Sequence, residues 1–156
     1  MKDVLLIDDE SSLLRLLQRI LESAGYSVVT ASNGLDGLNT YYATQPTLVI
    51  TDILMPGVEG TDVIRTINHT DSEQKIIAMS GGGKTLTSKT IFDVVSLLNI
   101  EGTLSKPFSK QEVLSAVELA IGKATRGPLI GGGDYDTCSS DRRSTQTTEI
   151  AHASLG

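Results

Sequence analysis

The chain has 156 residues, 39% hydrophobic and 21% charged, with a formal net charge of -6 and a single cysteine, Cys138. That length supports one domain with a full hydrophobic core, and the acidic balance leaves no basic stripe for phosphates, which excludes a general nucleic-acid binder. No apolar run approaches membrane-spanning length, and neither a signal peptide nor an internal disulfide is readable, so the expected compartment is the cytoplasm, without membrane insertion.

Short β-branched runs at 4–7, 26–31, 47–51, 75–79 and 102–104 alternate with stretches at helical spacing. A first helix, about 10–24, places Leu13, Leu14, Leu16, Leu17, Ile20 and Leu21 on a broad buried face and ends at Gly25 as its C′ residue. Residues 34–44 read as a second helix with Leu35, Leu38 and Tyr42 inward, and 60–68 as a third with Val63, Ile64 and Ile67 inward. Ile91, Val94, Val95 and Leu98 mark a fourth, starting between Thr85 and Ser88. The fifth has the clearest start: Ser109 and Glu112 form a capping-box pattern, with Phe108 placed to staple against Val113. This alternation implies an α/β fold, a five-stranded parallel sheet with five helices on both faces and right-handed crossovers. After Lys123 the composition turns Ser/Thr/Gly-rich with no apolar period, so 124–156 is expected to be a disordered tail behind a domain at 1–123.

Four of the strand-like runs finish on a chemically useful residue. Val4-Leu5-Leu6-Ile7 leads into Asp8-Asp9, Leu48-Val49-Ile50-Thr51 into Asp52, Ile76-Ile77-Ala78-Met79 into Ser80, and Leu104-Ser105 into Lys106-Pro107. In an open parallel α/β sheet the ligand crevice lies outside the carboxyl ends of the strands. Three carboxylates, a hydroxyl and an ammonium are therefore expected to meet there, as a cation and phosphoryl site. Crowded carboxylates repel one another and stay ionised only beside a cation, and a hard divalent ion such as Mg²⁺ suits oxygen ligands. Singly, each residue has an ordinary reading: Asp8 and Asp9 as helix caps, Asp52 as a turn residue, Ser80 as a loop hydroxyl, Lys106 as a solvated charge. The coincidence of four strand ends outweighs them.

Together, Asp8-Asp9, Asp52 followed by Met55-Pro56 and Gly60, Ser80, and Lys106-Pro107-Phe108 resemble the receiver domain of two-component response regulators, across residues 1–123. The resemblance implies a flavodoxin-like, doubly wound fold and a phosphoacceptor signalling domain rather than an enzyme, capable only of self-phosphorylation from a donor and slow autodephosphorylation. It implies Asp52 as phosphoacceptor, and Asp9 and Asp52 as direct Mg²⁺ ligands, with Asp8 acting mainly through water and the Leu54 backbone carbonyl completing the set. Lys106 would offset phosphoryl charge, Ser80 would hydrogen-bond a phosphoryl oxygen, and the Lys106–Pro107 bond would be cis, aiming the lysine into the crevice. The implied partners are a sensor histidine kinase or histidine phosphotransfer protein and a downstream protein target, without direct nucleic-acid binding. A homodimer through the fourth and fifth predicted helices is a further option.

Two alternatives stand beside this reading. A degenerate receiver would act as a phosphorylation-independent binding module. A P-loop nucleotide hydrolase is the distant one: Ala78 through Thr85 fits a relaxed Walker A pattern with Lys84 as its lysine, yet it follows the fourth strand and leaves Asp8, Asp9 and Lys106 without roles. The chain also departs from the receiver pattern. Thr103 stands where receivers carry Tyr or Phe, so the conformational switch is expected to be small. Leu54 and Gly82, two residues beyond Asp52 and Ser80, offer no group to orient an attacking water, so a long-lived phosphoryl group is expected.

Overall fold

The β-branched runs pair into one parallel sheet, and in the computed structural model residues 3–81, 96 and 98–122 are described. The strands are β1 (Asp3–Ile7), β2 (Ser27–Ala31), β3 (Leu48–Asp52), β4 (Lys75–Gly81) and β5 (Gly102–Lys106), in the order β2-β1-β3-β4-β5. Four helices are described: α1 (Ser11–Ser23), α2 (Gly34–Thr44), α3 (Gly60–Thr70) and α4 (Lys110–Gly122), the last being the fifth of the sequence prediction. The expected helix between Thr85 and Leu98, Gly82, Lys84 and the 124–156 tail lie outside the described residues, apart from Ser96 and Leu98. None of the described helices is long and apolar enough to cross a membrane.

The central strands are apolar on both faces because helices cover both. Leu6, Leu48, Ile50, Ile77 and Met79 pack with Leu14, Leu17 and Leu21 of α1 and Val113, Val117 and Ile121 of α4. The alternate residues Leu5, Ile7, Val49, Ile76 and Ala78 pack with Tyr41 of α2 and Val63, Ile64 and Ile67 of α3. Strand side chains alternate by face, so one run supplies two cores. Each fully buried Leu or Ile in them contributes about 2 kcal/mol from lost apolar exposure.

Local signals end the helices where expected. Gly25 takes φ +89°, its N–H donates to the Glu22 carbonyl, and the Tyr26 N–H donates to the Leu21 carbonyl. That is a Schellman arrangement, which needs a residue tolerant of positive φ. At α4 the Ser109 N–H donates to Glu112 Oε2 at 2.6 Å, and the Glu112 N–H donates to Ser109 Oγ at 3.2 Å. Phe108 packs on the cluster that holds Val113, completing the staple.

Three inward assignments need correction. Leu16 is 53% exposed and Leu35 59%, and Tyr42 is 50% exposed, while Leu13, Ile20 and Leu38 are only partly buried. On α2 the buried stripe is Gly34, Gly37 and Tyr41. A Cβ on Gly37 would lie 2.6 Å from Ile7 Cδ1, and one on Gly34 would lie 2.5 Å from the Val58 carbonyl oxygen. Two glycines thus let α2 settle directly onto β1 and the loop ahead of α3. Hydrophobic periodicity misses such a face because glycine has no side chain to register.

Candidate functional site

The parallel strands bring their carboxyl ends to one edge, and the expected residues arrive there together. Asp8 follows β1, Asp52 closes β3, Ser80 lies near the end of β4, and Lys106 closes β5. The register sets their spacing: Asp52 pairs with Met79, Ser80 with Ser105, and Gly81 with Lys106. Asp8 is fully buried, Ser80 is 2% exposed and Asp52 5%, whereas Asp9 faces solvent.

The segment after Asp52 is held by alternating anchors. Ile53 and Met55 are buried in the second core, which leaves the Leu54 side chain 45% exposed between them. Gly57 turns the chain at φ +85°. Gly60 then opens α3 against the strand end: its N–H donates to the Ile53 carbonyl at 2.9 Å, and a Cβ there would sit 1.8 Å from the Asp52 carbonyl oxygen. Only glycine admits that approach, so Gly60 positions the backbone that carries Asp52.

Lys106 ties the buried acids together. Its Nζ donates to Asp8 Oδ2 at 2.8 Å and lies 3.4 Å from Asp52 Oδ1. The other Asp8 oxygen accepts the Glu10 N–H at 2.8 Å. Glu10, not Asp8 or Asp9, occupies the N-cap position of α1, so the capping alternative for the acidic pair does not hold. Burial pushes the Asp52 carboxyl above the usual carboxylate range; Lys106 pulls it back in part, and the charges on Asp8 and Asp9 raise it further. Burial works against a charged Lys106, but its bond to Asp8 and the nearby Asp52 charge outweigh that and hold its pKa above the ordinary lysine value.

One carboxylate oxygen from each of Asp8, Asp9 and Asp52 lies within 4.8 Å of the other two. An all-oxygen set of that size fits a hard divalent cation. The Lys106–Pro107 bond is cis, as expected. Thr103 is exposed on β5 opposite Ala78, and Pro107 is exposed just past the strand. The Walker-like pattern fares differently: Ala78 through Gly81 are residues of β4, and Ala78 is 1% exposed between neighbouring strands, so half of the match is sheet rather than loop. Gly34 and Gly37, which seat α2 beneath the Asp8 strand end, were missed as site-supporting residues; the small-residue spacing was their only sequence signal.

A five-stranded parallel sheet in this order, with acids and a lysine at its carboxyl edge, places the chain in the flavodoxin-like class of open α/β domains. The sequence profile of the response regulator receiver domain matches residues 4–118, and the chain belongs to that family, the receivers of two-component systems. It is 32% identical over 120 residues, 76% of its length, to the uncharacterized transcriptional regulatory protein YkoG of Bacillus subtilis, and covers 50% of that protein. The chain spans about half the length of the first curated relatives it matches. The crystal structure of a response regulator receiver domain protein from Clostridium thermocellum superposes with a TM-score of 0.71 at 29% identity, covering 80% of this chain and 97% of that one. The Vibrio cholerae chemotaxis protein CheY4 shares the fold, with a TM-score of 0.70 at 24% identity over 77% of this chain and 98% of its own.

Proposed function

We propose that Asp52 accepts a phosphoryl group from a phosphohistidine on a sensor kinase or histidine phosphotransfer protein, and that the phosphorylated domain signals by binding a downstream protein. The observation that carries this reading is a buried Asp52 flanked by Lys106 Nζ at 3.4 Å and by the carboxylates of Asp8 and Asp9. An Asp52 oxygen attacks phosphorus, the bond from phosphorus to the donor histidine nitrogen breaks, and the imidazole leaves with the electron pair. The product is an acyl phosphate on Asp52.

Asp9 and Asp52, with the Leu54 carbonyl, are the residues that would hold Mg²⁺ directly. Asp8 is suited to act through water, since both of its oxygens already accept bonds, from Glu10 and Lys106. When bound, the ion supplies positive charge against the phosphoryl oxygens. Lys106 then exchanges its longer contact with Asp52 for one with a phosphoryl oxygen, and the Ser80 hydroxyl donates to another. These new bonds favour one of two conformations, by no more than the phosphoryl group's differential stabilisation of them.

Two features of this chain shape the response. Thr103 brings no ring to bury, so the shift along β5 is smaller than in a receiver with an aromatic residue there. Leu54 is apolar and carries no group to orient a hydrolytic water, so the acyl phosphate outlives the seconds scale. The test is intact mass after incubation with Mg²⁺ and acetyl phosphate. A single phosphoryl adduct, lost in Asp52→Asn and without Mg²⁺, is the expected result. No adduct on folded protein overturns the reading in favour of a binding module that signals without phosphorylation.

A further inference from the structure

At the opposite edge of the sheet the carboxyl ends of α2 and α3 meet over a cleft of about 480 Å³, lined by Tyr41, Tyr42, Gln45, Thr70 and Asp71 among others. The Tyr41 and Tyr42 rings stand edge to face, with centroids 5.3 Å apart. The Tyr42 hydroxyl and Thr70 Oγ1 are hydrogen-bonded at 3.3 Å, which links the ends of the two helices. Tyr42 remains 50% exposed.

The main electrostatic features described at this cleft favour a positive occupant. Two helix carboxyl ends converge on it, each carrying the negative end of a helix dipole. The last turn of α2 has no basic residue to answer it, and that of α3 has only His69, which does not line the cleft. Asp71 adds a carboxylate, near enough to Tyr41 to help burial raise its phenol pKa. The tyrosine rings add negative π faces, and among the described residues no lysine or arginine lines the cleft. Gln45 and Thr70 supply oxygens that accept hydrogen bonds.

We propose that this cleft receives an arginine side chain of a partner protein, its guanidinium stacked on Tyr42 and paired with Asp71. A planar guanidinium suits a site that combines a ring face, a carboxylate and amide or hydroxyl oxygens better than a compact ammonium does. The surface lies across the sheet from Asp52, so a partner could occupy it with the acidic crevice still open.

The test is an amide-shift titration of the isotope-labelled full chain with a blocked Gly-Arg-Gly tripeptide, using Gly-Gln-Gly as control. Shifts at residues 41–47 and 70–74 that saturate with a dissociation constant on the order of millimolar are expected. Tyr42→Ala and Asp71→Asn should each weaken binding by about threefold to fivefold, and Tyr42→Phe, which keeps the ring, should preserve it. Shifts centred on Asp8, Asp9 and Asp52, or spread over the acidic surface, would overturn the proposal. So would an equal response to Gly-Gln-Gly, or loss of binding in Tyr42→Phe.

Discussion

The two ends of this sheet hold their polar groups in different ways. At the carboxyl end, buried Asp8 and Asp52 lean on one ammonium, Lys106, and Asp9 adds a third acid at the rim. At the amino end several polar groups close in separate bonds: Lys75 Nζ donates to the Ala120 carbonyl at 2.7 Å, and Gln74 Nε2 donates to the Lys75 and Thr47 carbonyls at 3.1 and 3.4 Å. One end holds more negative charge than it compensates, and the other ties α4 and the loop before β3 to the sheet.

The sharpest way to disturb this division is at Gly60. Gly60→Ala forces a Cβ into the Asp52 carbonyl, where the contact is backbone and neither element can yield cheaply. A loss of about 3 kcal/mol in urea unfolding is expected. A loss within experimental error would mean that α3 is not held against the strand end. Next is the amino end, where Lys75→Met removes the charged donor to α4; a cost of about 1.5 kcal/mol is expected, with phosphorylation of Asp52 retained.

Asp52→Asn tests the opposite sign. Because burial raises the Asp52 pKa in the folded state, the contribution of this group is full below the ordinary carboxylate range and is lost as pH rises through the raised value. Without divalent ions, the wild type should therefore fall in stability relative to Asp52→Asn as pH climbs from acid to neutral, and added Mg²⁺ should narrow the gap. Parallel melting curves across that range would remove the claim that the crevice is electrostatically frustrated.

The smallest effect belongs to the cap of α4, which starts beside Lys106 and ends at the Lys75 anchor. Ser109→Ala should cost about 1 kcal/mol. The bonds from Ser109 hold the Glu112 carboxyl below its usual range, so its contribution is present above that range and disappears as pH falls through the lowered value. Thermal melts of Glu112→Ala should match the wild type in acid and fall below it at neutral pH.

Much of this was legible in the residues. Strand ends moved by a residue or two, α2 matched its expected span, and the Gly25 stop and the Ser109–Glu112 box took the forms their residue types dictate. Asp8, Asp9, Asp52, Ser80 and Lys106 could be named together because a parallel sheet sends every strand's carboxyl end to one edge. Inward faces were less legible. Leu35 and Tyr42 look like core on hydropathy, yet α2 rolls them outward because Gly34 and Gly37 permit a closer approach on their own side.

By itself, then, the sequence determined the α/β alternation, the helix ends and the set of residues at the crevice, since these follow from side-chain period and from local hydrogen bonds within a few positions. Only the tertiary structure decided that Lys106 bonds Asp8 more closely than Asp52, that Gly60 abuts the Asp52 carbonyl, and that two helix ends and a tyrosine pair enclose a cleft on the far side. Those are distances between residues far apart in the chain. They are set by how closely whole helices and strands can approach, which no local pattern encodes.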